Sequence, residues 1–157
     1  MGNLTDIDGV ANPKKGIVQE YVIKEIYTDG YERFATIEGI EHDVKLNVNF
    51  YQYDEYLENG EESRKKKRDD ILRGYLSIDL VTICQKVNKE LFHRQEIKKS
   101  PHIEAIVEVA QIIDEYSLYA ISSIINDNVL IEFESVVDYK VGDRVFVIGS
   151  LKLNETY

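Results

Sequence analysis

Apolar and polar residues alternate with period two through much of this chain. That is the spacing of a strand with one buried face. Val44, Leu46, Val48 and Phe50 alternate with Lys45, Asn47 and Asn49, a clean half-buried strand. Val145, Val147, Gly149, Leu151 and Leu153 share one face of another, introduced by Val141–Gly142–Asp143–Arg144. Gly149 interrupts that face where a side chain is expected, which marks a bend or a close backbone approach. The same design occurs in Leu72–Arg73–Gly74–Tyr75–Leu76–Ser77–Ile78, and strand character continues to Ile83. Residues 16–27 alternate poorly but are rich in Ile, Val and Tyr, as a largely buried strand would be. Thr28–Asp29–Gly30 signals a tight hairpin, with a return strand over 31–39. Three further strands are predicted over 102–114, 116–124 and 129–133, ahead of the glycine strand at 144–153.

Between these strands the pattern changes. Residues 54–70 form a long polar loop, and 85–99 are mixed and basic, a connector read as a loop or as a short helix with Val87 and Leu91 on one side. Ser100–Pro101 ends it. Residues 1–15 are polar, carry Gly9 and Pro13 and show no period, so they read as a loose arm. The expected organisation is an arm (1–15), a first β repeat (16–83), a basic connector (84–101) and a second β repeat (102–157).

The two β blocks align with each other. Residues 17–50 set against 102–135 need no gap, and match Val22 with Val107, Asp29 with Asp114, Tyr31 with Tyr116, Ala35 with Ala120, Ile40 with Ile125 and Val44 with Val129. Six identities in 34 positions compare with roughly two expected by chance from ordinary composition. The alignment resumes at Gly74–Tyr75–Leu76 and Gly149–Ser150–Leu151. Convergent hairpin composition is the competing explanation. The shared order of hairpin, alternating strand, loop and glycine strand favours duplication. The predicted class is all-β, two four-stranded repeats packed together.

Residues 103–153 resemble an OB-fold: a long first strand, a hairpin at Asp114–Glu115, a third strand, then Val141–Gly142–Asp143–Arg144–Val145 leading to Gly149–Ser150–Leu151. The resemblance reaches the first half through the repeat. It departs from the family in lacking a clear helix between the third and fourth strands of either half. It implies a small β-barrel, and OB-folds commonly bind single-stranded nucleic acid or oligosaccharides. In character, though on no motif, the chain is also similar to small acidic inhibitor and immunity proteins of bacteria and phage.

Charge then separates these possibilities. The 157 residues carry a net −10, yet Arg64–Lys65–Lys66–Lys67–Arg68 holds +5 and residues 84–101 hold +3, leaving −18 on the rest. An acidic body suits solubility or a basic partner and argues against a broad phosphate-binding face. A lone Cys84, no secretory signal and no apolar run of membrane-spanning length point to a cytoplasmic protein with no membrane partner. Asn3–Leu4–Thr5 and Asn154–Glu155–Thr156 are chance glycosylation matches in such a chain.

Candidate chemistry is sparse. There is no phosphate-cradling Gly–Lys motif, Gly-x-Ser-x-Gly, Cys-x-x-Cys or His-Glu-x-x-His, and His42, His93 and His102 are scattered without metal spacing. No catalytic residue, metal or cofactor is expected. The informative segment follows Phe50: Tyr51, Tyr53 and Tyr56 interleaved with Asp54, Glu55, Glu58, Glu61 and Glu62. Tyr51 and Tyr53 fall opposite Leu46 and Phe50, on a face that meets either water or the second half. Exposed tyrosines stack bases or anchor protein interfaces, and the adjacent acids favour a protein partner. The expected function is non-catalytic: an acidic, inhibitor- or immunity-like protein that neutralises a basic protein partner through protein–protein interaction. The alternative is a single-stranded nucleic-acid-binding module.

Overall fold

The computed structural model describes residues 16–156, so the arm at 1–15 lies outside the described residues. These form nine strands and no helix: β1 (Gln19–Asp29), β2 (Glu32–Gly39), β3 (Lys45–Tyr51), β4 (Ile71–Val87), β5 (Phe92–Arg94), β6 (His102–Ile112), β7 (Ser117–Ser122), β8 (Asp127–Phe133) and β9 (Arg144–Glu155). The all-β class holds, and the period-two segments fall on the strands. The short helix read within 85–99 does not form. Val87 instead pairs with Arg144 on β9, and Phe92 pairs with Ile106 on β6. Val87 and Phe92 find partners across a sheet, and the backbone of 85–87 and 92–94 joins its ladders.

Strand pairing closes two rings that share their last members. In the first, β1 pairs with β2, β2 with β3, β3 runs parallel to β9 at Asn49–Lys152, β9 pairs with β4, and β4 returns to β1. In the second, β6 pairs with β7, β7 with β8, β8 runs parallel to β4 at Ile78–Ile131, β4 pairs with β9, and β9 returns to β6. β4 therefore begins beside β1 and finishes beside β8's side of the molecule. β9 begins beside β6 and ends beside β3. Each ring takes its fifth strand from the other half of the chain, so the two halves exchange strands where the sequence suggested separate four-stranded units laid together.

The two halves share this order of pairing, but not the register of the gapless alignment. A bulge interrupts β1 between Ile23 and Glu25, and β6 between Val109 and Gln111. The pairs just before it are Ile23–Ile37 and Val109–Ala120. Ile23 thus corresponds to Val109, where the alignment sets Glu108, and Ala120 corresponds to Ile37, where the alignment sets Ala35. Ladder position, set by bulges and loop lengths, differs by one or two residues from identity in sequence.

The buried apolar residues form one cluster running through both rings. At its centre the pair Ile78–Leu151 joins the strands that cross between rings, and both side chains are 0% exposed. The crossing is tight. A Cβ on Gly149 would lie 2.5 Å from the Asp79 carbonyl oxygen, and one on Gly74 2.2 Å from that of Asn154. Here the backbones approach within the space of a methyl group, as the interrupted apolar face of β9 suggested. Opposite Gly149, the β4–β9 register shifts between Asp79 and Ile83, and Leu80 takes a φ of 56°. Gly149→Ala should force backbone apart at this point and cost about 1–3 kcal/mol, the usual penalty of overpacking. Chemical denaturation should show a lowered midpoint with an unchanged slope.

Candidate interaction surface

The segment after β3 is held in place by a buried arginine. Arg33, on β2, is 0% exposed. Its Nη1 donates to the Gly30 and Glu32 carbonyls at 2.8 and 3.1 Å. Its Nη2 donates to the Glu55 carbonyl at 2.7 Å and to Glu55 Oε1 at 3.2 Å. The Glu55 carboxylate also accepts from Ser63 Oγ at 2.5 Å and from the Arg64 amide at 2.9 Å. Ser63 Oγ in turn accepts the Lys65 and Lys66 amides, each at 3.0 Å. Gly30 and Leu57 exchange both backbone bonds, the Gly60 amide reaches the Thr28 carbonyl, and the Thr28 hydroxyl donates to the Glu61 carbonyl. The polar loop at 54–70 is therefore folded onto the β1–β2 hairpin. A guanidinium taken out of water requires charge and acceptors around it, and the loop supplies them.

This changes the role of several residues picked from sequence. Glu55 is 11% exposed at its side chain and is spent on Arg33, Ser63 and Arg64. It is a structural acid. Glu61 accepts the Glu58 amide at 2.6 Å through its carboxylate, closing a turn within the loop. Asp54 stays exposed, accepting from Gln52 Nε2 at 2.6 Å and pairing with Lys65 at 3.2 Å. Hydrogen bonds from Gln52 and then Lys65 hold its carboxyl below the usual range. Glu58 and Glu62 face solvent. The basic run is distributed: Lys65 meets Asp54, and Lys66 reaches Glu155 on β9 at 2.8 Å.

The tyrosines project from this braced loop. Tyr51, Tyr53 and Tyr56 are 36%, 75% and 62% exposed: Tyr53 and Tyr56 meet water, while Tyr51 lies partly against Lys152 of the second half. Tyr51 and Tyr53 stack, with centroids 5.4 Å apart and planes within 4°. Tyr31, at the tip of the β1–β2 hairpin, lies 6.2 Å from Tyr53 and stands edge-on to Tyr56 at 5.1 Å. Four rings thus form a row, Tyr56–Tyr31–Tyr53–Tyr51. Such contacts fix ring orientation and contribute about 0.5–1.5 kcal/mol each. Lys152 Nζ from β9 sits 5.3 Å from the Tyr51 centroid, and burial with the charge of Glu32 raises the Tyr51 phenol above its ordinary pKa. Tyr31 and Lys152 were missed from sequence. The Asp29–Gly30 turn directly before Tyr31 was the available signal; nothing local pointed to Lys152.

Elsewhere, His93 Nδ1 lies 2.8 Å from Ser123 Oγ, and burial lowers the imidazole pKa. A groove of about 550 Å³ beside β2 and β3 is lined by Lys45, Arg94, Lys98 and Lys99, with Glu25 and Glu96 opposing. Among the described residues no group of three or more His, Cys, Asp or Glu is placed to hold a metal ion, and no helix is long and apolar enough to cross a membrane. No protein-family model matches the chain, and no curated protein or solved structure matches it either.

Arg33→Met should leave Glu55 half-buried without its cation and cost about 3–5 kcal/mol, as breaking a buried pair does. The same bracing gives a pH signature. Desolvation pushes the Glu55 carboxyl up, but the Ser63 hydroxyl, the Arg64 amide and Arg33 outweigh it, and the net shift is downward. A depressed folded-state pKa means the stability is fully present above the ordinary glutamate range, near about 4.3, and is lost as pH falls through the lower folded value. Denaturation midpoints between pH 7 and 3 should fall less steeply at the acid end in Glu55→Gln than in the native chain.

Proposed function

We propose that this is a non-catalytic, acidic binding protein of the cytoplasm that neutralises a basic protein partner, in the manner of an inhibitor or immunity protein. The observation that carries this reading is the row of four exposed tyrosine rings where the loop braced by Arg33 and Glu55 meets the β1–β2 hairpin and the end of β3. A rigid, amphipathic aromatic surface loses little conformational freedom on binding, and tyrosine is enriched at interface hot spots. Exposed Asp54 and Glu58 adjoin Tyr53 and the Gly30–Leu57 bridge, Glu62 is exposed on the same loop, and the net −10 of the chain steers basic surfaces toward the protein. The contact residues are Tyr31, Tyr51, Tyr53, Tyr56, Asp54 and Glu58; Glu55 supports them from beneath.

With a basic partner in hand, Tyr51→Ala and Tyr53→Ala should each cost about 2 kcal/mol or more of binding. Asp54→Lys should chiefly slow association, by a factor that shrinks in high salt. Surface plasmon resonance at two ionic strengths separates the two effects. Unchanged affinity in all three folded variants would move the interface away from this segment.

A second reading has its own support. Each ring has three antiparallel strands followed by a fourth and a fifth, the fifth parallel to the third, which is consistent with an OB-like barrel. The Lys45–Lys99 groove runs beside β2 and β3, and the strand 2–3 face is where OB-folds take oligonucleotides. A fluorescence titration with a labelled single strand decides this reading. Binding in the micromolar range that weakens steeply with salt supports it, and affinity no tighter than millimolar removes it.

A further inference from the structure

We propose that the tyrosine row seats an arginine of the partner, whose guanidinium lies against the exposed rings while nearby carboxylates accept its N–H groups. The inference rests on the reading of this segment as a protein interface, and names the chemistry that the interface selects. Ring faces carry the negative end of the aromatic quadrupole and attract cations that come within about 6 Å of the centroid. The row already does so within the chain, for Lys152 Nζ stands 5.3 Å from the Tyr51 centroid. Tyr53, stacked on Tyr51, is the most exposed of the four rings at 75%.

The charges around the row agree. The Gly30–Leu57 bridge sets the β1–β2 turn against the loop, so Asp29 and Glu58 flank neighbouring positions, and both are exposed. Three of the cations around the row are engaged: Lys65 with Asp54, Lys152 with Asp79 and the Tyr51 ring, and Arg33 with Glu55. Arg64, Lys67 and Arg68, further along the loop, are exposed, and the acids set beside the rings by the strand pairing are Asp29 and Glu58. A phosphate backbone would meet those carboxylates at a repulsive distance, and an apolar side chain would desolvate them without return. A cation satisfies both features. Arginine suits them better than lysine because its guanidinium is planar, weakly hydrated and able to stack while donating in its plane to carboxylates. The hydroxyls of the tyrosines are not required, since the attraction comes from the ring.

The test uses the full chain and two probes of equal charge, nona-arginine and nona-lysine peptides, followed through tyrosine fluorescence in a chain without tryptophan. The expected result is tighter binding of the arginine peptide. It should weaken about three- to tenfold in Tyr53→Leu/Tyr56→Leu and be retained in Tyr53→Phe/Tyr56→Phe. The phenylalanine variant keeps the ring contacts and should keep the native thermal transition; the leucine variant loses them and should still unfold in one cooperative transition, at a lowered midpoint above the temperature of the titration. Equal affinity for the two peptides, or no loss in the leucine variant, overturns the inference. The interface reading fails separately. If alanine at these positions leaves a partner's affinity unchanged, the segment is not the interface. If alanine weakens it and leucine restores it, the tyrosines act as apolar anchors, and the arginine seat alone is refuted.

Discussion

The antiparallel pairing of β4 with β9 is the contact on which the rest of this molecule depends. It runs from Gly74–Glu155 to Val87–Arg144, through a register shift between Asp79 and Ile83. Every other strand of the two rings attaches, directly or through one neighbour, to this pair. Because each long strand begins in one ring and ends in the other, neither ring closes without residues from both halves of the chain. The apolar core is accordingly continuous, with Ile78 and Leu151 paired in its middle. Such an arrangement requires close backbone contact at the crossing, and Gly74 and Gly149 provide it. Units of some 50–70 residues bury a marginal core by themselves. Sharing strands gives each ring a wall that its own half does not supply.

A second constraint positions the candidate interface. Arg33 is pointed into the protein, where the hairpin offers the Gly30 and Glu32 carbonyls, and the loop after β3 folds back to supply the Glu55 carbonyl and carboxylate. That loop could have been a solvated tether between β3 and β4. With Arg33 beneath it, it becomes a platform, and Tyr53 and Tyr56 acquire fixed neighbours in Tyr31 and Tyr51. Rigid exposed aromatic surface is uncommon on a protein that has no use for it. The same bracing explains why acids that look equivalent in sequence divide into two kinds: Glu55 is consumed internally, while Asp54 and Glu58 remain at the surface.

The exchange of strands also bears on the internal similarity of the two halves. Both follow one order of pairing, yet the residues that match in the gapless alignment do not stand at matching ladder positions. Ala35 and Ala120 illustrate this. Each is buried on a return strand, but Ala120 pairs with Val109, as Ile37 pairs with Ile23. Period-two strands offer many near-equivalent registers to an alignment. The bulge in the first strand of each half selects among them.

By itself, the sequence determined where eight of the nine strands lie, where the Asp–Gly hairpin turns, that Gly149 marks a bend or a close approach, and that tyrosines and acids are mixed after Phe50. These are local properties: a period of two reports that one face is buried, and a turn needs residues that tolerate it. The tertiary structure decided the rest. Apolar alternation in β4 and β9 is the same whether a strand finishes in its own ring or crosses to the other, so the exchange left no mark in the pattern. The short helix read near Val87 and Leu91 gave way to ladder pairing, because β6 and β9 offered partners that no local rule could reveal. Nothing in the local sequence marked Arg33, and the returning loop with Glu55 made burial of its guanidinium feasible. Tyr31 and Lys152, 20 and 101 residues from Tyr51, joined the ring row through hairpin and strand packing. Local sequence sets which face a residue presents, and what meets that face is set by chain segments far away.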